Sequence, residues 1–307
     1  MKTWKANALL VIVAAIWGTG FIGSSYVLQY LEPFQMQVFR FGMASIIMSI
    51  AFYKKIINAN RQTIIYGVII GIVFFIAFTL QNYGLKETTI PKNAFISVTN
   101  VVWVPIIMYF IYKIKPKGYL FTGLFMMLIG FFFLMFDIDI FNLKDSLNNL
   151  AQQMNVNIGD FFSLLGAIVF AFRFILSSKF VKEEDPITIL IFQLYVSTLL
   201  AFCFSMTIDG PNFVNNLSLN GFVDILPMLS YLAIVNSLIA YILLFTVQQY
   251  TSATNTAIIC SLESLFASFF AVIIGTVALT SSLVIAAFII TFGIVLAETG
   301  FNFKRKS

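Results

Sequence analysis

The chain has 307 residues, of which 60% are hydrophobic and only 10% are charged, with a formal net charge of +5. Soluble domains carry roughly 25% charged residues, so this composition excludes an ordinary soluble protein, which could not cover its own surface. The basic residues stand singly or in twos and threes between apolar runs, without a basic arm for nucleic acid. We therefore expect an integral membrane protein with no nucleic-acid partner.

Apolar runs separated by polar breaks predict an all-α protein with ten membrane-spanning helices. Each run is long enough to cross a hydrocarbon core of about 30 Å. The predicted limits are 6–28, 34–53, 63–84, 92–112, 118–136, 158–180, 187–208, 222–247, 253–276 and 281–300.

The longest polar break, at residues 137–157, divides the chain into two halves of five spans each. The first half is residues 1–136. The second is residues 158–307, which ends in a short basic tail. We expect the break to form an extracytoplasmic connecting loop.

The distribution of Lys and Arg predicts that both termini are cytoplasmic. This orientation leaves only Lys86, Lys92 and Lys144 outside, and Arg40 and Arg173 within spans. We expect a multi-pass protein of the plasma membrane, and we interpret the chain as bacterial. The basic residues predicted to lie inside are Lys2, Lys5, Lys54, Lys55, Arg61, Lys113, Lys115, Lys117, Lys179, Lys182, Lys304, Arg305 and Lys306.

The two halves share short motifs in the same order. FIGSS in the first span corresponds to FILSS in the sixth, and FTLQNY at the end of the third span corresponds to FTVQQY at the end of the eighth. At one common spacing after the serine pairs come an acid and a proline, Glu32–Pro33 and Asp185–Pro186. These matches indicate an internal five-span repeat.

Because five is an odd number, the two repeats must cross the membrane in opposite directions. Inverted-topology repeats are typical of secondary transporters. Two similar halves of opposite orientation can form outward-open and inward-open states of similar energy. The alternative is a gene duplication that was retained only for packing.

Four motifs resemble those of the EamA-type permeases of the drug/metabolite transporter superfamily. They are AIWGTGFIGS in the first span, RFGMAS in the second, NVVWVP in the fourth and SLES in the ninth. The resemblance covers essentially the whole chain and implies a ten-helix bundle with a central cavity that moves metabolites, amino acids or drugs. Ser264 stands where the family usually has proline, which puts the kink of the ninth helix in doubt.

Ionisable residues inside a membrane are functional candidates because each costs about 2.5–3.5 kcal/mol on insertion scales. Glu263, near the middle of the ninth span, is the only carboxylate at that depth. It is interpreted as a proton-coupling group or a ligand for a substrate amine, with a structural ion pair or a hydrogen bond between helices as the alternative. Arg173 lies at a similar depth in the sixth span, and we hypothesise that the two approach each other in at least one state. Arg173 is also a candidate receptor for a carboxylate or phosphate.

Further candidates are weaker. Arg40 binds substrate, fixes a helix position or snorkels to the surface. Asn100 and Asn236 either face a polar cavity or form hydrogen bonds across helices. Three aromatic residues either line the cavity or simply pack: Trp17, Trp103 and Tyr241. Four polar residues at helix ends are either gate contacts or water-exposed ends: Gln81, Asn82, Gln248 and Gln249.

The favoured function is a secondary transporter that exports small metabolites, amino acids or drugs by alternating access. A phosphate-binding loop motif does not occur in the sequence, so a proton gradient or the substrate's own gradient is the expected energy source. The alternatives are an intramembrane enzyme acting on lipid or peptide, and a membrane sensor or channel component. An enzyme is disfavoured because the sequence has no histidine and one central carboxylate.

Expected partners are a small-molecule substrate, the lipid bilayer and, for a coupled mechanism, protons; a homodimer is left open. We expect no cofactor and no metal. Cys203 and Cys260 stand in separate apolar runs, and histidine, the commonest metal ligand, is absent from the sequence.

Overall fold

The structure is a computed structural model that describes residues 3–136, 156–209, 219–275 and 279–299. The described residues are almost wholly helical and contain no strand. Nine of their helices are long and apolar enough to cross a membrane, and a tenth apolar helix follows them. The prediction of an all-α membrane protein with ten spans is therefore confirmed. The predicted loop at 137–157 lies almost entirely outside the described residues.

The observed helix ends differ from the predicted limits by at most three residues. A short helix, Tyr53–Ile57, connects the second and third spans. The ten spans are Trp4–Val27, Pro33–Ala51, Arg61–Glu87, Lys92–Tyr112, Gly118–Phe136, Ile158–Phe180, Pro186–Asp209, Gly221–Gln248, Ala253–Ile274 and Ser281–Thr299.

The orientation in the membrane stays a prediction, and the two faces of the bundle are named by it. The face that carries Lys86 and Lys92 is called the predicted outer face. The face that carries Lys54 and Lys55 is called the predicted cytoplasmic face.

The repeated acid–proline pairs start helices in both halves. Pro33 and Pro186 are the first residues of the second and seventh spans, where the missing backbone N–H costs no hydrogen bond. The Asp185 side chain accepts a hydrogen bond from the Thr188 backbone N–H at 2.8 Å. An acidic cap also suits the positive end of the helix dipole. The sequence repeat is therefore a repeat of local structure.

The fourth and ninth spans are interrupted at equivalent places. The breaks fall at Thr99 and Ser261, and each hydroxyl donates to a carbonyl three residues earlier, that of Ile96 at 2.6 Å and that of Ile258 at 2.7 Å. Hydroxyl groups that bond back to the backbone bend helices. The ninth helix is thus interrupted even though Ser264 replaces the proline of the resembled family.

Glycines allow close contact between spans. A Cβ atom added to Gly71 would lie 2.7 Å from the Val196 Cβ atom, and one added to Gly67 would meet Phe192 in the same way. Both glycines lie in close contact with the seventh span. Small residues stabilise membrane helix pairs because the backbones approach closely.

Candidate functional site

A cavity lies at the centre of the bundle and extends into its predicted outer half. Both repeats contribute to its wall, so the cavity lies between them. The volume open to the centres of water molecules is about 60 Å³, which is room for a few waters. Its lining residues are Trp17, Gly20, Phe21, Ser24, Arg40, Phe78, Gln81, Asn82, Leu85, Asn100, Phe170, Phe174, Asn236, Tyr241 and Glu263.

Arg40 holds three spans together at the wall of the cavity. Its Nε donates to Ser237 Oγ at 2.7 Å, its Nη2 donates to Asn236 Oδ1 at 2.5 Å, and its Nη1 lies 3.4 Å from Ser24 Oγ. The residue is only 3% exposed. The alternative that Arg40 snorkels to the surface is therefore wrong, because its donor groups are used inside the bundle.

Asn236 connects this network to the first span. Its Nδ2 donates to the Ile16 carbonyl at 2.7 Å, and Trp17 Nε1 donates to the Asn236 backbone carbonyl at 3.2 Å. Asn236 lies in a π-helical stretch, Leu232–Ile239. Such stretches are rare in helices and frequent at functional sites. The amide thus forms a hydrogen bond across helices and also faces the cavity.

Gly20 makes room for this amide. A Cβ atom at position 20 would lie 2.6 Å from Asn236 Nδ2. A larger residue would displace Asn236 and with it the acceptor of Arg40. The glycine is therefore part of the site, although it carries no polar side chain.

Glu263 lines the cavity from the ninth span, two residues after the break at Ser261. It is half-buried. Within the described part of the chain, its carboxylate has no ion pair or hydrogen bond. This leaves the carboxylate available to a proton or a ligand that enters the cavity.

Arg173 does not line the cavity but lies directly beneath its aromatic floor. It is fully buried, with its guanidinium carbon 4.7 Å from the Tyr241 ring centre and 5.7 Å from that of Phe174. Both of these rings line the cavity. Arg173 and Glu263 do not form an ion pair with each other. The hypothesised approach of the two residues stays a prediction for another state.

Two further expectations need correction. Trp103 is not among the cavity-lining residues and packs against the hydrophobic core instead. Asn82 was open to interpretation as a wetted helix end, but it is 2% exposed and lines the cavity. Gln81 also lines the cavity and donates to Ser97 Oγ at 3.3 Å.

Sequence reasoning missed Phe170 and Phe174 as wall residues. The repeat contained the signal, because these positions align with Trp17 and Phe21 of the first span. It also missed Ser237, whose hydroxyl accepts from Arg40, since nothing in its local sequence separates it from other serines.

The site contains no metal-ligand set. Across residues 3–136, 156–209, 219–275 and 279–299, no group of three or more His, Cys, Asp or Glu side chains could hold a metal ion. The chemistry of the cavity is therefore that of one guanidinium, one carboxylate, four amide side chains and several aromatic rings. These groups bind and orient small molecules.

The fold and the cavity define a class: a multi-pass helical membrane protein with a cavity between two inverted repeats, lined by aromatic and polar side chains. The chain belongs to the EamA-like transporter family, whose model matches residues 4–136 and 157–299.

Two similar proteins from Archaeoglobus fulgidus are each named "Uncharacterized transporter". One is 26% identical over 97% of this chain and 87% of its own length, and the other is 23% identical over 87% and 88%. A solved structure, described only as a crystal structure of a protein, has a TM-score of 0.73 over 96% of each chain at 14% identity. That likeness shows the same fold, and the relatives' names support a transporter.

Proposed function

We propose that the protein is a secondary transporter that exports small organic molecules by alternating access through the cavity between its repeats. The observation that carries the proposal is the position of the cavity. Its wall is made by residues of both repeats, and it lies in the centre and predicted outer half of the bundle. A rearrangement of one repeat against the other would close this cavity and open an equivalent one at the opposite face.

The observed cavity is narrow, which supports a conformation in which access to the cavity is largely closed. Arg40, Ser24 and Asn82 are all at most 5% exposed, although they line it. A substrate with more than a few heavy atoms needs the helices to separate. Arg40 and Asn236 are suited to control this separation, because their hydrogen bonds join the first, second and eighth spans.

Two energy sources are compatible with the residues of the cavity. Glu263 could bind a proton and couple its gradient to transport, since it faces the cavity without a basic partner among the described residues. Alternatively, the substrate's own concentration gradient suffices. A family of transporters can use either source on one fold.

Counterflow in proteoliposomes tests the proposal. The purified protein would be reconstituted, and a panel of labelled amino acids, nucleosides and cationic drugs would be offered with and without a pH gradient. We expect saturable accumulation of at least one compound when the vesicles are preloaded with its unlabelled form. An absence of saturable flux across the whole panel would contradict the proposal. Linear flux that does not saturate would indicate a channel.

A further inference from the structure

We propose that Arg173, Gln193 and Gln248 line a second cavity, open to the predicted cytoplasmic face, in another conformation, and that Arg173 binds a carboxylate group of the substrate there. This inference rests on the alternating access proposed above and adds a substrate class to it.

The repeat register relates Arg173 and Gln193 to the observed cavity. The alignment of FIGSS with FILSS also aligns Gly20 with Arg173 and Arg40 with Gln193. Gly20 and Arg40 line the cavity in the outer half of the bundle. In an inverted repeat, their counterparts occupy the equivalent positions in the opposite half. Arg173 and Gln193 are thus placed to line the equivalent cavity when that half opens.

The second pair of repeated motifs supports the same proposed cavity. The alignment of FTLQNY with FTVQQY aligns Gln81, which lines the cavity, with Gln248. It also aligns Phe78 with Phe245. The guanidinium carbon of Arg40 lies 5.0 Å from the Phe78 ring centre, and that of Arg173 lies 5.0 Å from the Phe245 ring centre. Each half therefore holds a guanidinium against the same repeated phenylalanine.

The three counterparts are buried without hydrogen bonds. Arg173, Gln193 and Gln248 are 0% exposed. Among the described residues, the three guanidinium nitrogens of Arg173 and both polar atoms of each glutamine have no hydrogen-bond partner. Burying such groups unsatisfied is unfavourable. A conformation that exposes them to water and to a ligand removes this penalty, which supports their role in a second cavity.

Arg173 differs from Arg40 in the availability of its donors. Each of the three guanidinium nitrogens of Arg40 already donates a hydrogen bond, to Ser237, Asn236 or Ser24. The guanidinium of Arg173 lies against four aromatic rings and has no hydrogen bond to a described residue. A guanidinium with all its donors available binds a carboxylate in bidentate geometry. We therefore assign carboxylate-bearing small molecules, such as amino acids, as the substrate class.

Sided labelling tests the second cavity. In a background with Cys203→Ser and Cys260→Ala, Gln248→Cys and its matched control Gln81→Cys would be treated with a membrane-impermeant maleimide from either side of sealed vesicles. We expect Gln81→Cys to react from one side and Gln248→Cys from the other. If Gln81→Cys reacts while Gln248→Cys reacts from neither side, the second cavity is refuted.

Counterflow tests the role of Arg173. Labelled L-amino acids and their decarboxylated amines would be offered to the wild type, Arg173→Gln and Arg173→Lys. We expect the wild type to prefer an amino acid over its amine. Arg173→Gln should reduce counterflow of that amino acid by about tenfold or more. Arg173→Lys should retain part of it, and it serves as the test if Arg173→Gln does not yield folded protein.

The possible failures are distinguishable. Unchanged amino-acid counterflow by Arg173→Gln, or a wild-type preference for the amines, would refute the carboxylate site alone. If the wild type shows no counterflow of any probe and neither cysteine variant shows sided labelling, alternating access itself is refuted.

Discussion

Phe74 and Tyr241 meet edge to face at the centre of the bundle, with ring centres 5.1 Å apart and ring planes at 87°. They occupy the same position in the two repeats, because the register that aligns FTLQNY with FTVQQY also aligns them. Equivalent residues of inverted repeats can touch only near the pseudo-two-fold axis that relates them. The pair therefore marks the centre of the molecule, with Arg173 against both rings.

Gly20→Ala should weaken both stability and transport. The new methyl group would lie 2.6 Å from Asn236 Nδ2, so Asn236 must move and lose its bonds to Arg40 and to the Ile16 carbonyl. Hydrogen bonds between membrane helices contribute about 0.6–1.7 kcal/mol each. We expect a lower thermal unfolding midpoint and reduced counterflow in proteoliposomes.

Gly118→Ala is the matched control for this prediction. An added Cβ atom at Gly118 meets no atom within 4 Å. If Gly20→Ala and Gly118→Ala give the same midpoint and the same counterflow, the Asn236 network has no role in holding the wall of the cavity.

Gly71→Ala should destabilise the contact between the third and seventh spans. Its methyl group would lie 2.7 Å from Val196 Cβ, and overpacking of this kind costs about 1–3 kcal/mol. We expect a lower thermal unfolding midpoint. Gly42→Ala is the control, since its nearest neighbour, Thr198 Cγ2, lies at an ordinary 3.4 Å. Equal midpoints for Gly71→Ala and Gly42→Ala would show that the two spans are not in close contact.

Glu263→Gln should abolish the pH dependence of transport while the protein remains folded. The carboxylate faces the cavity and has no ion-pair partner within the described ranges, so a proton is the expected ligand of the coupled mechanism. Counterflow measured with and without a pH gradient checks this. Glu87→Gln is the control, because Glu87 is an exposed carboxylate at the end of the third span. A pH dependence that survives in Glu263→Gln would exclude Glu263 as the coupling group.

Asp185→Ala should lower stability at neutral pH and have a smaller effect in acid. Burial raises the pKa of Asp185, but the hydrogen bonds from Lys55 and Thr188 outweigh it, and the pKa lies below its ordinary value. A lowered pKa in the folded state stabilises the protein above the ordinary carboxyl range, and this contribution disappears as the pH falls through the lowered pKa. Loss of a helix N-cap costs about 0.5–2 kcal/mol.

Thermal midpoints of the wild type and Asp185→Ala, measured from neutral to acidic pH, check this prediction. The difference between the two midpoints should shrink as the pH is lowered below about 4, the ordinary range of an aspartate. A difference that stays constant across this range would mean that the charge of Asp185 is not the source of its contribution.

The span limits were predicted closely because each helix must present a long apolar surface to lipid, and that requirement is written in consecutive residues. Four polar candidates line the cavity for a related reason: Glu263, Arg40, Asn100 and Asn236. Polar residues in the middle of a span avoid lipid and turn toward the bundle interior. Trp103 was left open between the cavity wall and ordinary packing, because an aromatic ring is stable in both, and it packs against the core.

The amino-acid sequence by itself determined the number of spans, their inverted repetition and the small set of polar residues that the membrane must accommodate. Only the tertiary structure decided that Arg40 uses its donors on Ser237, Asn236 and Ser24 while Arg173 lies beneath aromatic rings with none of its donors hydrogen-bonded to a described residue. The reason is physical. Depth in the membrane follows from position along one helix, whereas the partners of a side chain depend on how separate helices rotate and pack against one another.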